Sequence, residues 1–423
     1  MAGLRSIWKE DLWKIASLNS LSIGLKLVTG FITSKLLAVY IGPAGLALVG
    51  NLRNFLTSVE NIATFGFTNG IVKYTASYQD QPKRQQEFIN SVLTFLPIMA
   101  LLCSLGIGGF ASYWNAWLLE GDSAYNSVFF YVALALPWYL VSVVLTSILN
   151  GLEAYKKVVY TQIFGMLAGL ALTVGLVLTT QTYGALIAVV AAPALQFFAV
   201  VFYLKKQILG FRFQIHYSDL QNLSHYSLMA IASSVIGPLV FIAIRNRLIL
   251  SSGMDAAGYW EALSRISSYY FLFLSTLIGL YFLPRLAKVT TIAEEKSILK
   301  SYFFQLMPVF TVGLIGIYLF RVWVVRLFFT SAFEPVSNLL LWQLLGDFGK
   351  GMALILGYRF FAYRQTQLFL FTELFSLASL YFLAQYGIQT EGVVGLMKAY
   401  ALNYGIYFVL LVLLYRFGKP VHR

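Results

Sequence analysis

The segment AGLALVGNLRNFLTSVENIATFGFTNG, residues 44–70, decides what kind of protein this is. It is long and apolar enough to cross a bilayer as a helix, which takes about 20 residues. Yet it carries Arg53 and Glu60. The two are seven residues apart, so they return to nearly the same helix face two turns on, with Thr57 between them and Thr64 beyond. The result is a polar stripe about 10 Å long on an otherwise apolar helix. A charge at mid-bilayer depth costs roughly 2.5–3.5 kcal/mol even on the lenient insertion scale. Such a stripe faces protein or water, not lipid.

The rest of the chain repeats the pattern. Its 423 residues are 59% hydrophobic and only 11% charged, and the mean hydropathy is +0.74. Soluble domains carry about 25% charged residues. Apolar runs between polar breaks predict twelve spans, near 14–39, 44–70, 88–112, 126–149, 158–180, 183–204, 226–250, 258–284, 301–322, 337–360, 366–386 and 393–415. The breaks carry turn chemistry: IGPAG at 41–45, NG at 150–151, SSG at 251–253 and YG at 386–387. Loops on the side of the N-terminus hold nineteen Lys and Arg, against only Arg321 and Arg326 opposite, which places both termini in the cytoplasm. The same bias accounts for the net charge of +13 without nucleic acid, because no basic run exceeds two residues. Trp8 and Trp13 at one interface, with Trp114 and Trp117 at the other, fit an aromatic belt. The start MAGLRSIWKEDLWK reads as an amphipathic lead-in to the first span and not as a signal peptide.

The halves resemble each other. Arg53 and Lys73 are 20 residues apart, as are Arg265 and Arg285, each pair following an Ala-Gly step at 44–45 or 257–258. Ala154-Tyr155-Lys156 matches Ala362-Tyr363-Arg364, and Gly184 matches Gly392, both at a spacing of 208. The expected architecture is an all-α integral membrane protein of about twelve transmembrane helices. They form two pseudo-symmetric six-helix bundles, residues 1–210 and 211–423, with a site between them.

Nine basic residues fall inside the spans: Lys26, Lys35, Arg53, Arg245, Arg247, Arg265, Lys350, Arg359 and Lys398. Against Glu60, Glu261, Asp347 and Glu373 they leave a surplus of five positive charges, which points to a wet, cationic cavity for something anionic. Gln343, Asp347 and Lys350 share one face of the tenth span, and Glu261 and Arg265 are four apart in the eighth. The plainer reading makes Asp347–Lys350 and Glu261–Arg265 self-neutralising helix pairs. It also lets Lys35, Arg245, Arg247 and Lys398 snorkel to an interface. Lys26 and Arg53 lie too deep for that.

Other chemistries lack support. His216, His225 and His422 have no metal-ligand spacing, and no GxSxG motif occurs. LGIGGF at 105–110 lies in an apolar helix and reads as a packing surface. Cys103, the single cysteine, has no intramolecular partner. No cofactor or metal is expected.

KLLAVYIGPAGLALVGNLRNF (35–55), GIVKYTASYQD (70–80), FLPRLAKV (282–289) and LWQLLGDFGKGMALILGYRF (341–360) together resemble the Wzx-type polysaccharide flippases. These translocate lipid-linked O-antigen or enterobacterial common antigen units and belong to the multidrug/oligosaccharidyl-lipid/polysaccharide exporter superfamily. The resemblance implies a V-shaped, two-lobed transporter in the bacterial inner membrane. Its cargo would be an undecaprenyl-pyrophosphate-linked oligosaccharide, moved to the periplasmic leaflet during lipopolysaccharide or related polysaccharide biosynthesis. The positions matching the family pattern are Lys26, Lys35, Arg53, Lys73, Arg245, Asp347, Lys350 and Glu373. Arg265 has no counterpart there and rests on the repeat and on charge.

On this reading Lys26, Arg53, Arg265, Arg245 and Lys350 hold the pyrophosphate and glycan. Glu60, Asp347 and Glu373 couple protons or pair helices. The partners implied are the lipid-linked substrate, membrane lipids, a polysaccharide polymerase and a chain-length regulator, acting with a monomeric transporter that is not an enzyme. Two rivals stand beside it. A drug or cation antiporter of the same superfamily wants an acidic or neutral cavity, and a glycan polymerase or ligase needs a larger outer loop than any present here.

Overall fold

A computed structural model describes residues 2–363 and 365–417. Arg364, Lys419, His422 and Arg423 lie outside the described residues, as do the side chains of Arg5, Trp8, Lys9, Trp13, Lys14, Lys206 and His225. Hydrocarbon offers no partner to a backbone N–H or C=O, so a spanning segment must close its hydrogen bonds within itself. Accordingly every regular element described is helical, with no strand among the described residues.

The first half runs α1 (Ala2–Tyr40), α2 (Gly42–Ala63), α3 (Thr68–Ser77), α4 (Pro82–Gly109), α5 (Ala111–Leu118), α6 (Asn126–Gly151), α7 (Tyr155–Ala194), α8 (Gln196–Tyr203) and α9 (Lys205–Leu209). The second runs α10 (Tyr217–Leu277), α11 (Leu283–Leu286), α12 (Ile292–Ser301), α13 (Met307–Leu319), α14 (Arg321–Phe328), α15 (Val336–Ala362) and α16 (Thr366–Phe417). Single π-helical turns at Ile278–Phe282 and Tyr302–Leu306 lead into α11 and α13.

Eight stretches are long and apolar enough to span a membrane, and three of these are of double length, 155–203, 234–286 and 366–416. Each double stretch reverses on itself. Around Gln181, Gly165 faces Gln196, Gly169 faces Ala192 and Gly184 abuts the Leu176 carbonyl, the ladder of an antiparallel pair. Arg245 meets Glu261 across a break at Gly253. Gly387 meets Gly395 across one at Glu391–Gly392. The expected spans 158–180 with 183–204, 226–250 with 258–284, and 366–386 with 393–415 are therefore hairpins.

The expected continuous span over 44–70 is broken. α2 ends at Ala63, Phe65 and Gly66 take φ of 52° and 63°, and the chain restarts as α3. Of LGIGGF only Ile107 and Gly108 face a neighbour, Gly108 so closely that a Cβ would sit 3.2 Å from the Ala133 methyl, while Leu105 and Phe110 are exposed and Gly106 and Gly109 border open space.

Two compact units emerge, one of 1–40 with 51–238, the other of 41–50 with 239–423. In the first, Phe67, Ile71, Phe88, Val92, Ile148 and Val200 form a buried core shared by α3, α4, α6 and α8. Residues beyond 210 stay with this unit because they are zipped to α4. The Gln214 N–H donates to Thr94 Oγ1 (3.3 Å), the His216 N–H to Ser91 Oγ (3.1 Å), and Arg84 pairs with fully buried Asp219. Leu223 then enters the core. In the second unit Gly258 lies against the Pro43 carbonyl, where no Cβ would fit, which ties 41–50 to α10.

Outward faces are apolar. Leu105, Leu134 and Phe304 are each about 70% or more exposed (71%, 70% and 74%), the pattern expected of a surface solvated by acyl chains.

Candidate functional site

In the first unit the orientation of α2 follows from its packing. Leu52, Phe55, Leu56 and Val59 are buried, and so are two polar anchors. Asn51 donates to the Leu118 carbonyl (3.1 Å) and Ser58 to that of Val235 (3.2 Å). With that face fixed, Arg53 and Thr57 are left exposed and Glu60 half-buried. The threonines of the stripe bond backward, Thr57 Oγ1 to the Arg53 carbonyl (3.0 Å) and Thr64 Oγ1 to that of Glu60 (2.7 Å). Glu60 itself accepts from the Tyr139 hydroxyl on α6. Lys26 is exposed on α1 and Lys35 half-buried.

In the second unit two of the expected cations come together on one acid. Arg245 and Glu261 are essentially inaccessible and Arg265 nearly so. Arg245 Nη2 lies 2.9 Å from one Glu261 oxygen, and Arg265 Nε lies 3.1 Å from the other. The Arg245 guanidinium also stacks over Trp260, 5.2 Å from the ring centre. Interfacial snorkelling by Arg245 is thereby ruled out: its charge is met inside the protein.

Asp347, on α15, is fully buried and accepts four hydrogen bonds. They come from Ser267 Oγ (2.5 Å), the Tyr270 hydroxyl, Gln343 Nε2 (3.0 Å) and the Tyr400 hydroxyl (2.7 Å). Lys350, a turn further on, takes a different route from the expected pairing with Asp347. Its ammonium sits over Phe271 (4.9 Å) and Tyr404 (5.4 Å), with Asp347 and Glu373 as the carboxylates whose field it feels. Beside Lys350 opens a cavity of about 490 Å³ walled by α10, α15 and α16.

The remaining interior cations are distributed elsewhere. Arg359 pairs with Glu295 and stacks on Tyr363 and Tyr415. Lys398 meets Glu391 at 2.5 Å over Trp342. Arg247 is half-buried. Among the described residues no His, Cys, Asp and Glu cluster to hold a metal ion.

The residues that the sequence did not single out are tyrosines. Tyr139 serves Glu60, while Tyr270, Tyr400 and Tyr404 serve Asp347 and Lys350. For the last pair a signal existed: Tyr400, Tyr404 and Tyr407 recur at helical spacing along α16, and their rings touch in succession.

A polytopic helical fold with charged side chains buried in both units calls for comparison with known membrane proteins. Residues 12–290 match the family model described as polysaccharide biosynthesis protein. The chain belongs to that family. A relative in Escherichia coli (strain K12), the lipid III flippase, is 29% identical over 415 residues, covering 96% of this chain and 97% of its own. An inward-facing multidrug resistance transporter of the MATE family, in the MOP superfamily, superposes with a TM-score of 0.74 at 14% identity, covering 92% of this chain and 94% of that one. The lipid II flippase MurJ in an inward closed conformation gives 0.71 at 15% identity, over 95% and 87%. This member of the polysaccharide biosynthesis protein family is thus a multi-pass membrane protein that shares the fold of these solved transporters.

Proposed function

We propose that the protein flips an undecaprenyl-pyrophosphate-linked oligosaccharide, an O-antigen or related repeat unit, from the cytoplasmic to the periplasmic leaflet by alternating access. The observation that carries this reading is the excess of cations over acids within apolar spans. A single carboxylate, Glu261, serves two guanidiniums, while Glu60, on the same stripe as Arg53, takes its hydrogen bond from a tyrosine. The name of the E. coli relative, a lipid III flippase, supports the cargo class.

The physical task is specific. The polyprenyl tail can remain in hydrocarbon, whereas the pyrophosphate and sugars cannot cross it unaided. Lys26 and Arg53 meet the pyrophosphate, arginine by its planar fork and lysine as a compact charge, and Arg245 with Arg265 contributes the residual positive field of their shared site. Alternating access carries residues 211–223 along with the first half, because that stretch is zipped to α4. Both termini lie in the cytoplasm, as the loop charges require. Glu60, Asp347 and Glu373 are the groups available for coupling to protons, and the membrane potential acts on the charged cargo in any case. The flipped unit passes to a polymerase and a chain-length regulator.

Arg53→Ala is the deciding substitution. It leaves the buried face of α2 intact, so the protein still folds but loses flipping in proteoliposomes and surface glycan in cells. Normal surface glycan in that variant removes Arg53 from the site.

A further inference from the structure

The 490 Å³ cavity of the second unit has a chemistry unlike that of a pyrophosphate clamp. One wall is a stripe of α10 in which Ser264, Ser268, Phe271 and Ser275 follow at spacings of four, three and four, so all lie on one helix face. Lys350 and Tyr400 complete it from α15 and α16. Three of the serines give their protons to their own helix: Ser264 to the Trp260 carbonyl (3.0 Å), Ser268 to that of Arg265 (2.7 Å) and Ser275 to that of Leu272 (3.2 Å). A hydroxyl whose proton is already committed presents lone pairs, so this wall accepts hydrogen bonds. Its natural complement is a ligand rich in donor hydroxyls.

The charge is wrong for a polyanion. Lys350 is the cavity's cation, and it stands within the field of both Asp347 and Glu373. A pyrophosphate placed here would meet a single cation whose field two carboxylates behind the wall already offset. A polyol needs no surplus of positive charge, and an ammonium offers it three donors. Phe271 and Phe241 add apolar surface to the lining, which suits the C–H groups of a pyranose. The volume, within the usual range of roughly 300–1,000 Å³ for ligand pockets, has room for a sugar ring.

From these features we infer that the cavity beside Lys350 is a sugar subsite, which holds the uncharged, hydroxyl-rich part of the glycan apart from the pyrophosphate. The inference rests on the flippase reading and assigns the Lys350 member of the proposed cationic set to the glycan.

Native mass spectrometry of the full-length protein in micelles tests it with two probes. One is undecaprenyl pyrophosphate without sugar, and the other is the lipid-linked glycan fraction extracted from the protein's own host. Lys350→Met and Ser268→Ala, the latter a simple hydroxyl deletion at an exposed position, each weaken binding of the glycan-bearing lipid about tenfold, the loss of one or two hydrogen bonds. Both leave binding of the bare pyrophosphate lipid unchanged. Arg53→Ala weakens both lipids. Equal losses for the two lipids in Lys350→Met, or no loss for either in both variants, overturn the sugar assignment. A wild-type protein that retains neither lipid overturns the flippase reading instead.

Discussion

At the scale of single residues, the second unit turns on Glu261, whose two oxygens hold Arg245 and Arg265. Removing one partner of a buried ion pair leaves an uncompensated charge and costs about 3–5 kcal/mol. Glu261→Gln leaves two guanidiniums facing an amide, so it should abolish recovery of folded protein or lower the unfolding midpoint by many degrees in a fluorescence-detected thermal melt. Replacing all three residues with apolar ones of similar size should restore folding without restoring transport. Gly50 belongs to the same cluster: a Cβ there would stand 2.6 Å from a Glu261 oxygen and 3.1 Å from the Arg245 guanidinium carbon. Gly50→Ala therefore displaces the pair at a cost of about 1–3 kcal/mol, visible in the same melt.

At the scale of elements, the hairpins depend on single backbone conformations. Gln181 (φ 49°, ψ −121°) and Gly392 (φ 59°, ψ −131°) adopt nearly the same one, a region that glycine enters freely and other residues reach only under strain. Two opposite outcomes are expected. Gln181→Gly stabilises the protein by relieving strain on the order of 1 kcal/mol, and Gly392→Ala destabilises it by about 1–3 kcal/mol. In the alanine variant the new methyl would also meet Ser252 Oγ at 2.8 Å. A thermal melt that moves both variants in one direction would refute the argument. The internal repeat is also clearer in the backbone than in the residues. Gly42 and Gly253, both at positive φ, are 211 apart, and so are Gln181 and Gly392. The match of Gly184 to Gly392 at 208 pairs a packing glycine with a turn glycine.

At the scale of the whole molecule, the charge asymmetry of the loops predicts that reporters fused to either terminus read out as cytoplasmic; a periplasmic signal from either one would reverse the orientation. Length, hydropathy and charge were legible in one dimension because a bilayer imposes a one-dimensional rule: about 20 apolar residues per crossing and no unpaired backbone group in hydrocarbon. The sequence by itself therefore determined an all-helical membrane protein, most of its span limits, and the presence of costly interior cations such as Lys26, Arg53 and Lys350. It could not determine what those cations meet. That Arg245 shares Glu261 with Arg265, that Asp347 is held by Ser267, Tyr270, Gln343 and Tyr400, and that Lys350 borders a cavity were decided by tertiary structure. Arg245 with Glu261, and Ser267, Tyr270 and Tyr400 with Asp347, join helices or hairpin arms distant in the chain, whereas Arg265–Glu261 and Gln343–Asp347 are neighbours one turn apart on a single helix. Helical periodicity fixes which residues share a face, but only packing fixes what lies opposite it.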